Sequence, residues 1–129
     1  MADISPKERG RRVALLRGLL GLREVAAALP IPPEVAIVSC AIRLCEYEGR
    51  PADIAALAEL THLPRETVAE RVAVLTDLGL LEGSEEGSVR EAPLTLLPEN
   101  PIVAAFYSRL SDVMSRVLHD LDEADKQAG

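Results

Sequence analysis

Residues 53 to 81 read DIAALAELTHLPRETVAERVAVLTDLGLL, from Asp53 to Leu81, and their apolar spacing decides the fold. Ile54, Leu57 and Ala58 stand three and four residues apart, which sets them on one face of a short helix, and Val68, Val72 and Leu75 do the same for a second. Thr61, His62 and Leu63 fall between them as a tight turn; His is among the non-glycine side chains that enter the left-handed conformation. Pro64 stands at or beside the start of the second helix, where its missing N–H costs little, and Glu66 lies in the first turn, at the positive end of the helix dipole. Gly79 stops the helix, and Leu80 and Leu81 lead into a strand. The pattern predicts a helix-turn-helix.

Outward from this motif the chain reads as helices. Pro6 to Ala28 is predicted helical, with Leu15, Leu19, Leu22, Val25, Ala26 and Leu29 as a wide apolar face, Leu16 and Leu20 beside it and the arginines largely off it. Gly18 and Gly21 read as weak points, each costing up to about 1 kcal/mol relative to Ala. Pro30, Pro32 and Pro33 form a connector. From Glu34 to Glu48, Val35, Ile37, Val38, Cys40, Ile42, Leu44 and Cys45 make a helix apolar on nearly every side, the signature of a centrally buried one, and Gly49 ends it. Glycine and acidic residues from Glu82 to Ser88 predict a wing tip, with Val89 to Leu97 leaving it and Pro93 confining that strand to an edge or a short piece. Asn100 is the expected cap and Pro101 the first residue of a last helix, whose Val103, Phe106, Tyr107, Leu110, Val113, Met114, Val117 and Leu121 recur at steps of three and four. Such a stripe needs a covering surface: a second subunit, or its own domain.

The register from Leu57 to Leu81 resembles the winged helix-turn-helix of the MarR family of bacterial regulators. The matching residues are Leu57, Ala58, Thr61, Leu63, Arg65, Thr67, Val68, Leu75, Gly79, Leu80 and Leu81. The departures are His62 where Gly is usual, Pro64 where Ser is usual, and Glu70, Val74 and Leu78 where polar or basic residues are usual. The resemblance covers roughly residues 34 to 95 as a motif and the flanking helices as architecture. It implies a mainly α fold: a winged helix-turn-helix over 34–97 with a small β-wing, an N-terminal helix and proline connector over 1–33, and a C-terminal helix over 98–129. It also implies that the terminal helices interlock with those of a second subunit, giving a homodimer through Leu15, Leu19, Leu22, Phe106, Leu110, Val113, Val117 and Leu121. By the same resemblance Arg65 is a base-edge or phosphate contact, Thr67 a phosphate hydroxyl, Arg71 a flank contact and Arg90 the wing contact, although Ser88 stands where the family usually has an acidic residue. An apolar cleft for a small apolar effector is a further implication.

Charge pulls against that reading. Lys and Arg number 14 against 21 Asp and Glu, a net of −7. Residues 52 to 91 carry Arg65, Arg71 and Arg90 against nine carboxylates, or −6, whereas residues 1 to 28 carry six cations against three carboxylates, or +3. Phosphate attraction is therefore concentrated outside the motif.

Composition bounds the remaining classes. A chain of 129 residues with 48 % hydrophobic content can bury one ordinary core, while 2 % aromatics, only Tyr47, Phe106 and Tyr107, exclude stacking platforms for single strands or flat cofactors. No run of 18 apolar residues exists, and Arg17 and Arg23 interrupt the N-terminal apolar stretch, so a reducing cytoplasm is the expected compartment. Cys40 and Cys45, five residues apart on one helix, point about 140° away from each other and cannot bridge within the chain. On an apolar helix a buried structural thiol is commoner than a redox sensor. His62 and His119 are the only histidines, without ligand spacing, so no metal site or cofactor is expected; Asp120, Asp122, Glu123 and Asp125 read as a solvated helix end. No phosphate loop or nucleophile elbow points to an enzyme. Two readings stay open: a homodimeric regulator binding double-stranded DNA, and a winged-helix adaptor whose acidic face binds a basic protein partner without reading DNA.

Overall fold

Short polar caps and prolines set the helix starts. Ser5 accepts a hydrogen bond of 3.0 Å from the Glu8 amide and Pro6 follows it, opening α1 (Pro6–Ala27). Pro33 opens α2 (Pro33–Tyr47). Asp53 accepts from the Ala56 amide at 2.8 Å and opens α3 (Ile54–Thr61), and Pro64 precedes α4 (Arg65–Asp77). Two three-residue strands follow, β1 (Leu81–Gly83) and β2 (Val89–Glu91), and Pro101 opens α5 (Pro101–Asp125). The computed structural model describes residues 3–83, 89–91 and 101–127, and the molecule is mainly helical. The predicted wing tip, the Pro93 stretch and the Asn100 cap fall on residues 84–88 and 92–100, outside the described residues.

The turn between α3 and α4 takes the form its residues predict. His62 adopts φ 58°, ψ 28°, a left-handed cap on α3, and the Thr61 hydroxyl donates to the Leu57 carbonyl at 2.7 Å. Gly79 has φ 74°, so α4 ends where a side chain would be strained. β1 and β2 pair antiparallel, with Glu82 opposite Arg90.

The chain divides into two compact units, Leu29–Val103 and the two terminal segments Met1–Ala28 and Ala104–Gly129. In the first, α2 packs against α3 and α4 around Val35, Val38, Ile42, Cys45, Leu57, Val68, Leu75 and Leu81, with Ile54, Ala58, Leu63 and Val72 against that core. The expectation that α2 is buried on nearly every side needs correction. Ile37, Cys40, Leu44 and Tyr47 are exposed along one stripe, because α3 and α4 cover only the opposite side. Arg43 is buried instead; its Nη1 donates to the Tyr47 hydroxyl at 3.4 Å and its guanidinium lies 5.7 Å from the Tyr47 ring centre.

In the second unit α1 and α5 run antiparallel. Gly10 faces Ala124, Gly18 faces Val117, and Gly21 faces Val113; at one end Arg11 pairs with Asp125 at 2.8 Å. Here the expectation that Gly18 and Gly21 are weak points is corrected. The buried face of α1 is Ala14, Gly18 and Val25, whereas Leu15 and Leu19 are exposed. Gly18 is a contact point rather than a defect: a Cβ there would collide with Val117 Cγ2, so only glycine lets the two backbones approach this closely. No helix among the described residues is long and apolar enough to cross a membrane.

Candidate nucleic-acid interface

α4 begins at Arg65, immediately after the left-handed turn, and at 100° per residue its side chains divide cleanly. Val68 and Leu75 are buried and Val72 is half-buried, which fixes the inward face. The face directly opposite carries Glu66, Glu70, Ala73, Val74 and Asp77, all exposed. Arg65 is exposed on one flank of this strip. Thr67 and Arg71, four residues apart, share the other flank and are half-buried.

The arrangement thus joins Thr67 with Arg71 and separates both from Arg65. Neither Arg65 nor Arg71 forms an ion pair with a carboxylate among the described residues. Arg71 Nε is buried and has no hydrogen-bond partner among the described residues. Arg90 lies on β2 in register with Glu82, and only its backbone is described.

Among the residues predicted to dimerise, Leu15 and Leu19 are exposed, and Leu22, Phe106, Leu110, Val113, Val117 and Leu121 are half-buried. Val113 and Val117 face Gly21 and Gly18 of the same chain. That part of the stripe is covered intramolecularly. Beside this seam lies an open groove of about 630 Å³ whose lining includes Arg17, Asp112, Arg116, His119 and Asp120. Among the described residues no group of three His, Cys, Asp or Glu could hold a metal ion. No disulfide joins Cys40, which is exposed, to Cys45, which is buried, and burial pushes the Cys45 thiol up.

Two features escaped the sequence reading. The buried Arg43 carries no periodic signal, because one arginine in an apolar helix reads as solvent-facing. The glycine seam did carry one: Gly10, Ala14, Gly18, Gly21 and Val25 recur at three and four residue steps, a stripe of small residues that an apolarity count passes over. Compared with known proteins, the chain matches no family model, no curated protein and no solved structure.

Proposed function

We propose that this protein is a homodimeric, winged helix-turn-helix regulator that binds double-stranded DNA, with α4 entering the major groove and the β1–β2 ribbon acting as the wing. The observation that carries this reading is the exposed Arg65 at the first residue of α4, unpaired among the described residues, directly after the left-handed His62 turn. A helix N-terminus that projects an arginine beside its own orphan amides is suited to a phosphate or a guanine edge. In this reading Thr67 and Arg71 follow the adjacent strand, and Arg90 on β2 is the wing contact. The test is a salt titration of binding to upstream DNA from the source organism. Specific binding in the nanomolar range should weaken steeply with salt, by roughly 0.9 logarithmic unit per phosphate contacted, and Arg65→Ala should abolish the preference for one site.

A second reading rests on a separate observation. Glu66, Glu70 and Asp77 occupy the outward face of α4, where a groove-reading helix gains from neutral or cationic side chains. This favours an adaptor that presents α4 to a basic protein partner. Reversal of Glu66 and Glu70 to Lys separates the two: it strengthens non-specific DNA binding in a regulator and abolishes partner capture in an adaptor.

A further inference from the structure

The outward face of α4 is built from two ridges of unequal height. Residues four apart line up as ridges inclined to a helix axis; Glu66, Glu70, Val74 and Leu78 form one, and Ala69 and Ala73 form the next. All six are exposed, Val74 at 40 % and Leu78 at 56 %, and Glu66 and Glu70 form no ion pair among the described residues. The tall ridge is acidic along its first half and apolar along its second, and the low ridge leaves a shallow channel beside it. Val68, Val72 and Leu75 hold the opposite side of α4 against the core, so the channel faces away from that core.

We propose that this channel docks an amphipathic helix of a protein partner, cationic at the turn that meets Glu66 and Glu70 and apolar at the turn that meets Val74 and Leu78. The docking rests on the adaptor reading above and gives its partner a shape and a register. An uncharged helix does not fit, because Glu66, Glu70 and Asp77 share this face and covering a carboxylate without a cation is costly. A flexible polybasic tail fits no better, because it leaves Val74 and Leu78 in water, whereas an amphipathic helix covers them. The low ridge sets the approach. With only methyl groups at Ala69 and Ala73, a ridge of the partner can settle beside the tall one, and interdigitation of four-apart ridges crosses the two axes at about 50° with a separation of about 8 to 10 Å.

Size sets the strength. The 13 residues of α4 give about 20 Å of helix at 1.5 Å per residue. A contact one helix wide over that length falls well below the ~800 Å² that each partner gives to a standard interface, so the docking is reversible and micromolar. It also bears on nucleic acid. A helix that reads the major groove must present its outward face to the bases, so a docked helix and a DNA duplex cannot share α4. The basic partner therefore displaces DNA by direct competition. Only this last step rests on the regulator reading.

The probe is a fluorescein-labelled synthetic peptide of alanine, leucine and lysine, about 20 residues long so that it is helical by itself, with two lysines one turn apart followed by two leucines one turn apart. Fluorescence anisotropy with the full chain should give micromolar binding, at least about 10-fold tighter than for a scrambled peptide of the same composition. Glu70→Lys and Ala73→Gln should each weaken it at least about 10-fold; Ala73→Gln changes no charge, and both lie on an exposed face, so melting temperature should hold. A peptide with glutamates in place of its lysines should bind the chain carrying Glu66→Lys and Glu70→Lys and not the parent. Equal affinity for the scrambled peptide, or indifference to Ala73→Gln, overturns the docking site. Sedimentation in which these variants lose self-association in place of peptide binding assigns the face to a second copy and overturns it as well. Specific DNA binding by a parent that also binds the peptide overturns the adaptor reading and leaves the docking standing, and the peptide should then release that DNA; a ternary complex overturns the competition.

Discussion

Arg65 and Arg90 sit in places that should fail differently on truncation. Arg65 projects from the first turn of a helix, where a guanidinium can reach a base edge, so Arg65→Ala should cost about 1 to 3 kcal/mol at the preferred site and flatten discrimination between sequences. Arg90 stands on a ribbon in register with Glu82, and in the proposed reading it is the wing contact; Arg90→Ala should then weaken all sequences alike and lower the salt slope by about one unit. Competition binding with single-base variants of one site, at two salt concentrations, reads both effects. The cysteines offer a second contrast at this scale. Cys40 is exposed and Cys45 buried with its thiol pKa raised, so a thiol reagent should modify Cys40 first, with Cys45 reacting only as fast as the fold opens. The sign of the pH effect follows: an acid whose folded pKa lies above its unfolded one stabilises the fold below the ordinary thiol range, and that contribution is lost as pH rises through it. Denaturant midpoints from neutral pH into the thiol range should fall for the parent and fall less for Cys45→Ala.

At the scale of elements, the seam between α1 and α5 makes a graded prediction. A methyl at Gly18 meets the stiff, β-branched Val117, whereas one at Gly21 meets Val113 at 3.2 Å, a tight but yielding distance. Gly18→Ala should therefore lose about 1 to 3 kcal/mol to overpacking, more than the roughly 1 kcal/mol that alanine returns in helix propensity. Gly21→Ala should be close to neutral. Adding Val117→Ala to Gly18→Ala should recover most of the loss, and melting temperatures of the three variants test this register. The motif elements were legible in the sequence because caps, turn and core all agree there: Asp53, His62, Pro64 and Gly79 mark boundaries, and Leu57, Val68 and Leu75 are completely buried. The terminal helices were legible as helices but not as partners. Apolarity alone ranked Leu15 and Leu19 above Gly18, while closeness of approach, which decides packing between these two helices, ranks them the other way. The candidate site was legible in identity, since Arg65, Thr67 and Arg71 can be named from the register; the split between flanks and the buried Arg71 Nε required the angular position of the core.

At the scale of the whole molecule, the distribution of charge should govern how binding responds to ionic strength. Cations concentrate in residues 1 to 28 and carboxylates in residues 52 to 91, so neutralising Lys7, Arg9 and Arg12 should reduce the salt dependence of any DNA binding without changing which site is preferred. Arg65→Ala should do the reverse, and a series of binding isotherms for both variants distinguishes range from recognition.

The antiparallel seam also dictates an order in time. Arg11 and Asp125 are 114 positions apart, so the contact between α1 and α5 closes almost the entire chain into one loop, with Leu29–Val103 inside it. Contacts so distant in sequence form late, because the entropy of closing the loop must be met before they contribute. During synthesis the inner unit can pack its core while the ribosome is still making α5, and through that interval the Ala14, Gly18 and Val25 face of α1 lacks the helix that buries it. Pulse-labelled hydrogen exchange during refolding should accordingly protect the amides of α2, α3 and α4 before those of α1. A chaperone that recognises short apolar helices would have its longest opportunity at residues 14 to 25, whose small-residue face α5 covers last.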